Sequence, residues 1–183
     1  MPIEITNLGR NCFRLKGRDG TVITDPCPPD SGFTLGKQTA EGVTLSRKDD
    51  PGYSWAEGVG GSPVVLDAPG EYEIGGILVT GVATKGADGT RNVVFVSEID
   101  GIRVAHLGLM ATAAIDDLKN VDVLLLPVGG SNALAPNLAA DLMTKIEPRI
   151  AIPMNFKTAG ETLPLEPLDS FLKETGNRPE PQA

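Results

Sequence analysis

The residues best suited to chemistry lie in one short segment, VTLSRKDDPGYSW. Its apolar run ends in a serine and is followed by two bases, Arg47 and Lys48, and two acids, Asp49 and Asp50. Adjacent carboxylates can hold a hard cation such as Mg²⁺ or Ca²⁺ through oxygen, although two solvated acids before a Pro-Gly turn are the simpler interpretation. The two bases, together with Arg10, could instead line a pocket that binds an anion.

The chain contains a single histidine, His106. Catalytic zinc sites use two or three imidazoles as a rule, so one histidine cannot supply them. We interpret His106 as a neutral imidazole bonded to backbone at a strand end, with general acid-base catalysis as the alternative. Cys12 and Cys27 lack the spacing of a zinc or redox pair, which predicts two free thiols in a reducing compartment.

Three further acids have structural interpretations. Asp25, in the TDP segment, is expected to accept hydrogen bonds from backbone amides and to fix its loop. Glu71 and Glu73 lie two apart and therefore on one face of a strand, where they resemble an acid pair but are expected to be structural. The GGSN segment before the first well-marked helix lacks the lysine and spacing of a phosphate loop, and we expect it to close over a pocket.

The composition limits the partners. A chain of 183 residues fits one domain. Its net charge of −8 repels phosphate backbones, so nucleic acid is excluded as a partner. The sequence shows neither the basic and apolar regions of a signal peptide nor a continuous apolar run long enough to span a membrane. This predicts a cytoplasmic protein without membrane contact. The expected partner is an unknown small molecule or protein, and a homo-oligomer stays open.

The first half of the chain reads as short strands separated by turns. The second half alternates helical spacing with apolar runs typical of strands buried on both faces. The predicted strands are 3–8, 12–17, 21–26, 42–46, 63–67, 70–82, 91–100, 102–108, 121–130 and 149–155, and the predicted helices are 112–121, 136–146 and 165–176.

Strands followed by helix-strand-helix units predict an α/β fold, a sandwich of four layers with helices outside two sheets. One domain is expected over 1–176, followed by a flexible tail over 177–183.

In chain order, eight segments resemble the metallo-β-lactamase superfamily, most closely the branch of Zn-dependent hydrolases related to L-ascorbate-6-phosphate lactonase. The segments are NLGRNCFRL, TDP, VTLS, APGEYEIGG, VTGV, IDGIRVAHLG, VDVLLLPVGG and IEPRIAIPMNF. The resemblance implies an αββα sandwich with a metal site at the sheet ends. In that family, imidazoles and carboxylates hold one or two Zn²⁺ or similar ions, and a metal-bound hydroxide attacks a carbonyl or phosphoryl centre.

This sequence departs from the family pattern at every ligand position. The H-x-H-x-D-H turn can be aligned in two registers. In the register counted from Ser46, Arg47 and Asp49 replace two of the histidines. In the register counted back from Pro51, Asp50 and Tyr53 replace two histidines and Gly52 replaces the aspartate. The positions of the remaining ligands are taken by Lys85 or Gly86, by Leu109 and by Asn155.

These replacements predict that no ordered zinc is bound. Leu109 removes a bridging carboxylate, and a cation such as Arg47 about 4 Å from a divalent ion would cost roughly 8 kcal/mol at an effective dielectric near 20. We therefore expect no metal, no cofactor and no assured catalytic residue, with Arg10, Lys48, Lys85 and His106 lining the former pocket.

Three functions follow from this interpretation. The first is a degenerate family member that has lost metal-dependent hydrolysis and acts as a binding or assembly module. The second is a divergent hydrolase of a lactone, ester or phosphoester with a non-standard or metal-free site. The third is a small-anion binder that uses Arg47 and Lys48.

Overall fold

The computed structural model describes residues 3–112 and 118–176, and these form two large sheets and one two-stranded sheet. The centre of the helix predicted over 112–121 and the predicted tail, 177–183, lie outside the described residues. Neither described α-helix has the length and apolar character needed to cross a membrane.

The described strands and helices follow one another along the chain with short connections. In chain order they are β1 (Glu4–Gly9), β2 (Cys12–Lys16), β3 (Thr21–Thr24), β4 (Gln38–Thr39), β5 (Gly42–Thr44), β6 (Val59–Gly60), β7 (Val64–Leu66), β8 (Gly70–Ile74), β9 (Ile77–Lys85), β10 (Arg91–Ile99), β11 (Ile102–His106), β12 (Val123–Pro127), α1 (Pro136–Ile146), β13 (Ile150–Met154) and α2 (Leu168–Thr175).

Both large sheets mix antiparallel and parallel pairs. The first has the order β1-β2-β3-β5-β7 and the second the order β13-β12-β11-β10-β9-β8. In the first sheet β3, β5 and β7 run parallel, and in the second β11, β12 and β13 do. Parallel neighbours end at the same edge of a sheet, so several strand ends meet at one end of the molecule.

The inner faces of the two sheets form one shared core. Phe13 and Leu15 of the first sheet belong to the same buried cluster as Val79 and Phe95 of the second. Burying a side chain of this size contributes about 1.5–3 kcal/mol. This core holds the two sheets, and therefore their ends, in register.

The outer face of the second sheet is covered by the two helices. Leu124 and Leu126 of β12 contact Leu142 of α1 and Phe171 of α2 in one buried cluster, while Leu125 between them faces the inter-sheet core. This alternation explains why β12 is apolar at every position.

The predicted α/β sandwich is confirmed, with one difference in its outer layers. Among the described residues, no α-helix covers the first sheet. Ile23 and Val43 are instead covered by loop residues, two short 3₁₀ turns and the β4/β6 pair, through Leu35, Trp55 and Val59.

Two predicted elements are corrected. The strand predicted over 70–82 is a hairpin, because Gly75 and Gly76 both adopt positive φ and reverse the chain between β8 and β9. The last helix begins at Leu168 and not at 165, because the Glu166 amide donates to the carbonyl of Gly129 and keeps that stretch extended.

Candidate functional site

The candidate site lies where strands of both sheets end together. Hydrogen bonds join the two sheets at this end: the Val93 amide donates to the Ser46 carbonyl at 2.9 Å, and Asn11 Nδ2 donates to the Gly108 carbonyl at 3.1 Å. The segment after β5, the turn before β2, the β9–β10 hairpin and the ends of β11, β12 and β13 therefore form one surface of the sandwich.

The centre of this surface is filled by Tyr53 and its partners. The Tyr53 hydroxyl donates to Asn155 Oδ1 at 2.9 Å, and Asn132 Nδ2 donates to the Tyr53 hydroxyl at 2.9 Å. Asn155 Nδ2 closes the ring by donating to Asn132 Oδ1 at 3.0 Å. Leu109 and Leu163 pack against the same tyrosine. Burial raises the pKa of Tyr53, so the phenol stays neutral.

The Tyr53 cluster brings together three residues that the sequence placed at ligand positions: Tyr53, Leu109 and Asn155. Asn132 belongs to the GGSN segment and contacts Tyr53 at the strand ends. That this segment closes over a pocket stays a prediction. Leu163, which packs beside them, carried no sequence signal.

Arg10 is buried beside the Tyr53 cluster in a bidentate ion pair. Its Nη2 lies 2.7 Å from Glu161 Oε1, and its Nε donates to Oε2 at 3.0 Å. Nη1 donates to the Gly52 carbonyl, and the guanidinium lies 5.2 Å from the ring centroid of Tyr53. Burial acts to raise the pKa of Glu161, but the hydrogen bonds and charge of Arg10 outweigh it, so the pKa is lowered.

Arg10 also lines a cleft of about 290 Å³ with Asp30, Pro51 and Leu163. Its guanidinium nitrogens all donate to protein oxygens, Nη2 also to the Ser31 carbonyl, so the side chain is committed to the fold. Glu161 was not predicted, because it lies 151 residues from Arg10 and no local pattern connects them.

Arg47 and Lys48 line a different cavity, of about 180 Å³. Arg47 Nη2 lies 3.2 Å from Asp88 Oδ2, and Lys48 Nζ lies 3.3 Å from Asp67 Oδ2. The structure therefore does not bring Arg10 into one anion pocket with these two bases.

The other charged positions stay apart. Asp50 Oδ1 accepts from the Gly52 amide at 3.1 Å and thereby forms its own turn, while Asp49 is exposed at the rim of the Arg47 cavity. The side chain of Lys85 is exposed, and its carbonyl accepts from the Ala111 amide. Asp49 and Asp50 thus do not share a described cation site.

A buried polar cluster underlies the Arg47 cavity. Asp25 Oδ1 accepts from the Ser46 amide at 2.7 Å, which confirms its predicted role as a backbone acceptor. His106 Nε2 donates to the Asn11 carbonyl at 2.9 Å, so Nδ1 carries the lone pair and faces Ser46 Oγ at 3.4 Å. Among the described residues, Asp25 Oδ2 and Asn11 Oδ1 have no hydrogen-bond partner.

Burial shifts both ionisable groups of this cluster towards their neutral forms. It lowers the pKa of His106 to about 4, with the Asn11 hydrogen bond acting in the opposite direction. It raises the pKa of Asp25 to about 7, against the hydrogen bonds from Ser46. Although the His106 and Asp25 side chains lie 4.0 Å apart, the histidine is neutral at pH 7 and the contact is not an ion pair.

Comparison with known proteins places this arrangement in a family. The family model for the beta-lactamase superfamily domain matches residues 4–155. A UPF0173 protein of Pyrococcus furiosus is 31% identical over 198 residues, covering 96% of this chain and 92% of the relative. A UPF0173 metal-dependent hydrolase of Natranaerobius thermophilus is 25% identical and covers 91% of this chain and 87% of the relative.

A solved structure is similar over nearly the same length. It is a crystal structure from Thermotoga maritima, described as a candidate Zn-dependent hydrolase of the metallo-beta-lactamase superfamily. It is 35% identical, with a TM-score of 0.81, and the similarity covers 94% of this chain and 85% of that chain.

These relatives correct two expectations drawn from the sequence. The prediction of a metal-free binding or assembly module is wrong, because proteins similar over most of the chain are named metal-dependent or Zn-dependent hydrolases. The prediction that the protein uses no metal cofactor is wrong for the same reason. Both expectations rest on the residue types at the aligned ligand positions, whereas the finding that overturns them is similarity to named hydrolases over most of the chain.

The described donors at the sheet ends do not fit the dinuclear centre of this family. Among residues 3–112 and 118–176, no three His, Cys, Asp or Glu side chains come together as a metal site. Tyr53 and Asn155 bond to each other, and a Cβ on Gly86 would lie 3.0 Å from Arg47 Nη1. No chemical step can therefore be assigned to a metal held by these side chains.

Proposed function

Because this chain belongs to the metallo-β-lactamase superfamily, we propose that it is a hydrolase, the activity class for which several of its relatives are named. The observation that carries the proposal is the family match over residues 4–155, which includes every strand end at the candidate site. The 35% identity with the candidate Zn-dependent hydrolase of Thermotoga maritima supports the same class.

The proposed reaction takes place on the surface formed by the strand ends. Two cavities lie at this surface: the cleft beside Arg10, which Leu163 of the Tyr53 cluster also lines, and the smaller cavity beside Arg47. The Arg10–Glu161 pair holds the first in shape, since a buried pair with bidentate hydrogen bonds resists rearrangement. At the second, Arg47 and Lys48 are paired with Asp88 and Asp67, which are themselves partly exposed, so a substrate could exchange with these partners for the hydrogen-bond donors.

The substrates to assay first are lactones, carboxylic esters and phosphoesters. The resemblance of the sequence to the branch of L-ascorbate-6-phosphate lactonase favours phosphorylated lactones among them. We place the activity in the cytoplasm, a proposal supported by two buried cysteines that are both free thiols.

The test is a hydrolysis assay on three preparations: the protein as purified, the protein after chelation, and the chelated protein supplied with Zn²⁺ or Mn²⁺. The metal requirement that the relatives' names suggest would appear as activity that falls on chelation and returns with metal. We expect activity to drop at least tenfold in Arg47→Ala, because the substitution removes a hydrogen-bond donor at the strand ends. Arg18→Ala, whose exposed pair with Asp100 lies at the opposite end of the sandwich, is the matched control.

The outcomes separate the two parts of the proposal. Hydrolysis of no compound in any preparation would overturn the hydrolase assignment. Hydrolysis that is indifferent to chelation would remove the metal requirement that the relatives' names suggest. An equal loss in Arg47→Ala and Arg18→Ala would show that the activity does not reside at the strand ends.

A further inference from the structure

Ser46 connects the buried polar cluster with the Arg47 cavity. Of the described residues of that cluster, which are Asn11, Asp25, Ser46 and His106, only Ser46 lines the cavity of about 180 Å³. Its Oγ lies 3.4 Å from His106 Nδ1, the ring nitrogen that carries the lone pair. An unprotonated imidazole nitrogen can take the proton of a serine hydroxyl that faces it. The cavity therefore has a hydroxyl at its wall and a base directly behind that hydroxyl.

We infer that Ser46 is the nucleophile of the proposed hydrolase and that His106 is its general base, and this inference rests on the proposed function. The distance of 3.4 Å is longer than a normal hydrogen bond, as is common for catalytic pairs without substrate. The substrate class is carboxylic esters and lactones, because this pair transfers an acyl group. The three bases of the cavity are matched by Asp49, Asp67 and Asp88, so a neutral acyl centre fits better than a phosphate dianion.

The His106 ring is fixed in the orientation that this role requires. Nε2 donates to the Asn11 carbonyl at 2.9 Å, which leaves Nδ1 without a proton and directed towards Ser46. Phe13 packs edge-on against the ring, with the centroids 6.4 Å apart. A nucleophile beside a base that a third group holds in one tautomer is the arrangement that activates a hydroxyl.

Asp25 places an unpaired oxygen beside the same ring nitrogen. Its Oδ1 accepts from the Ser46 amide, while Oδ2 lies 4.0 Å from His106 Nδ1 and has no hydrogen-bond partner among the described residues. A buried oxygen without a partner is costly in the resting protein. When Nδ1 takes the serine proton, the ionised carboxylate would stabilise the imidazolium by charge. Asp25 is therefore a positioning residue that acts through His106.

The reaction has two steps, which balance in bonds and protons. In the first, Ser46 Oγ bonds to the carbonyl carbon as its proton moves to His106 Nδ1. The bond from that carbon to the alcohol oxygen then breaks, and the proton passes to the departing oxygen, which in a lactone stays attached to the acyl group. In the second step, water adds to the acyl carbon and gives a proton to Nδ1. The bond to Ser46 breaks as Oγ takes this proton back, and a carboxylic acid is released.

The first test labels the unaltered protein with a small fluorophosphonate, which reacts with activated serine hydroxyls. We expect one adduct per chain in the intact mass, located on Ser46 by peptide mapping, and no adduct in urea. Ser31 is the internal control, because it is also buried and lines a cavity, the cleft beside Arg10, but the one histidine of the chain faces Ser46. No adduct, or labelling of Ser31 to the same extent, would overturn the inference.

The second test compares Ser46→Ala with Ser97→Ala in hydrolysis of a carboxylic ester. Both serines are 2% exposed, but Ser97 lies within β10 opposite Val79 and Val104, away from the cavity. We expect kcat to fall at least about 100-fold in Ser46→Ala and to change less than about twofold in Ser97→Ala. Urea denaturation shows whether both variants fold. If Ser46→Ala does not fold, the labelling of the unaltered protein decides.

The outcomes distinguish this inference from the function on which it rests. Ester hydrolysis that is equal in the unaltered protein and in folded Ser46→Ala overturns the nucleophile and leaves the hydrolase standing. Labelling of Ser46 without hydrolysis of any ester, lactone or phosphoester overturns the hydrolase and the catalytic role together. Rapid mixing with the ester should also leave an acyl group on the peptide that contains Ser46, detected as its added mass after acid quenching.

Discussion

The two arginines of the candidate site show that its surroundings decide what a residue can do. Arg10 is buried, paired with Glu161 and stacked on Tyr53, so its donors are occupied by the protein. Arg47 has the same chemistry but an exposed partner in Asp88. Arg10 is therefore a structural residue, because separating a buried ion pair would leave an unpaired charge out of water. Arg47 is available to a ligand, because a pair with an exposed carboxylate is weak.

Gly108 permits the close approach between the two sheets beneath the Arg47 cavity. Its φ is +60°, and a Cβ there would lie 2.3 Å from the Cβ of Ser46. We predict that Gly108→Ala lowers the free energy of unfolding by about 2–5 kcal/mol, from left-handed backbone strain plus overpacking. The measurement is urea denaturation at fixed pH.

Gly101→Ala is the matched control for this substitution. Gly101 has a φ of +78° but open space around its Cβ position, so the variant carries the backbone strain alone. It should lose only about 1–2 kcal/mol. Equal losses in the two variants would mean that contact with Ser46 is unimportant.

The buried polar cluster joins the ends of four strands. Asn11 precedes β2, Asp25 follows β3, Ser46 follows β5 and His106 ends β11. The hydrogen bonds among them hold the segment that bears Arg47. A change of protonation in this cluster therefore alters the stability of the whole strand-end region.

The two titrating groups have opposite effects on stability. Below about pH 6.5, unfolding takes up a proton at His106, whose folded pKa is lowered to about 4, so stability rises with pH. Above about pH 4, unfolding releases a proton from Asp25, whose folded pKa is raised to about 7, so stability falls with pH. Between these limits the two contributions cancel.

Removing one of the two titrating groups should reveal the pH dependence of stability that the other contributes. We predict that Asp25→Asn, which retains an oxygen for the Ser46 amide, gains about 1.4 kcal/mol of stability per pH unit between about pH 4 and 6.5, relative to the unaltered protein. His106→Gln should show the opposite slope, falling up to about pH 7. The measurement is urea denaturation at a series of pH values. Parallel curves for the three proteins would contradict the assigned protonation states.

At the scale of the whole molecule, the shared core makes the two sheets one folding unit. Phe13 of the first sheet and Phe95 of the second lie in the same buried cluster. Neither sheet can lose its inner face to water without exposing the other, so we expect cooperative unfolding.

Two probes on opposite sides of the sandwich test this cooperativity. Trp55, the one tryptophan of the chain, packs in the cover of the first sheet, while α1 and α2 cover the second. We predict the same urea midpoint for Trp55 fluorescence and for circular dichroism at the helix wavelength. Separate midpoints would show that the sheets unfold independently.

Much of the fold follows from local patterns. The helix predicted over 136–146 is α1, because Pro136 suits a first turn and Leu138, Leu142 and Ile146 recur at helical spacing. The unbroken apolar run around β12 predicted a strand buried on both faces. The 70–82 segment was misjudged, because apolar spacing alone does not show that two adjacent glycines reverse the chain.

The candidate site was predictable only in its residue types. The sequence by itself determined that the positions aligned with metal ligands carry residues such as Arg47, Tyr53, Leu109 and Asn155. Only the tertiary structure decided that Asn132 hydrogen-bonds to Tyr53 and that Glu161 pairs with Arg10. It also decided that Arg91 lines the same cavity as Arg47. The physical reason is distance along the chain: spacing reports contacts within an element, whereas these pairs meet only because two sheets pack face to face.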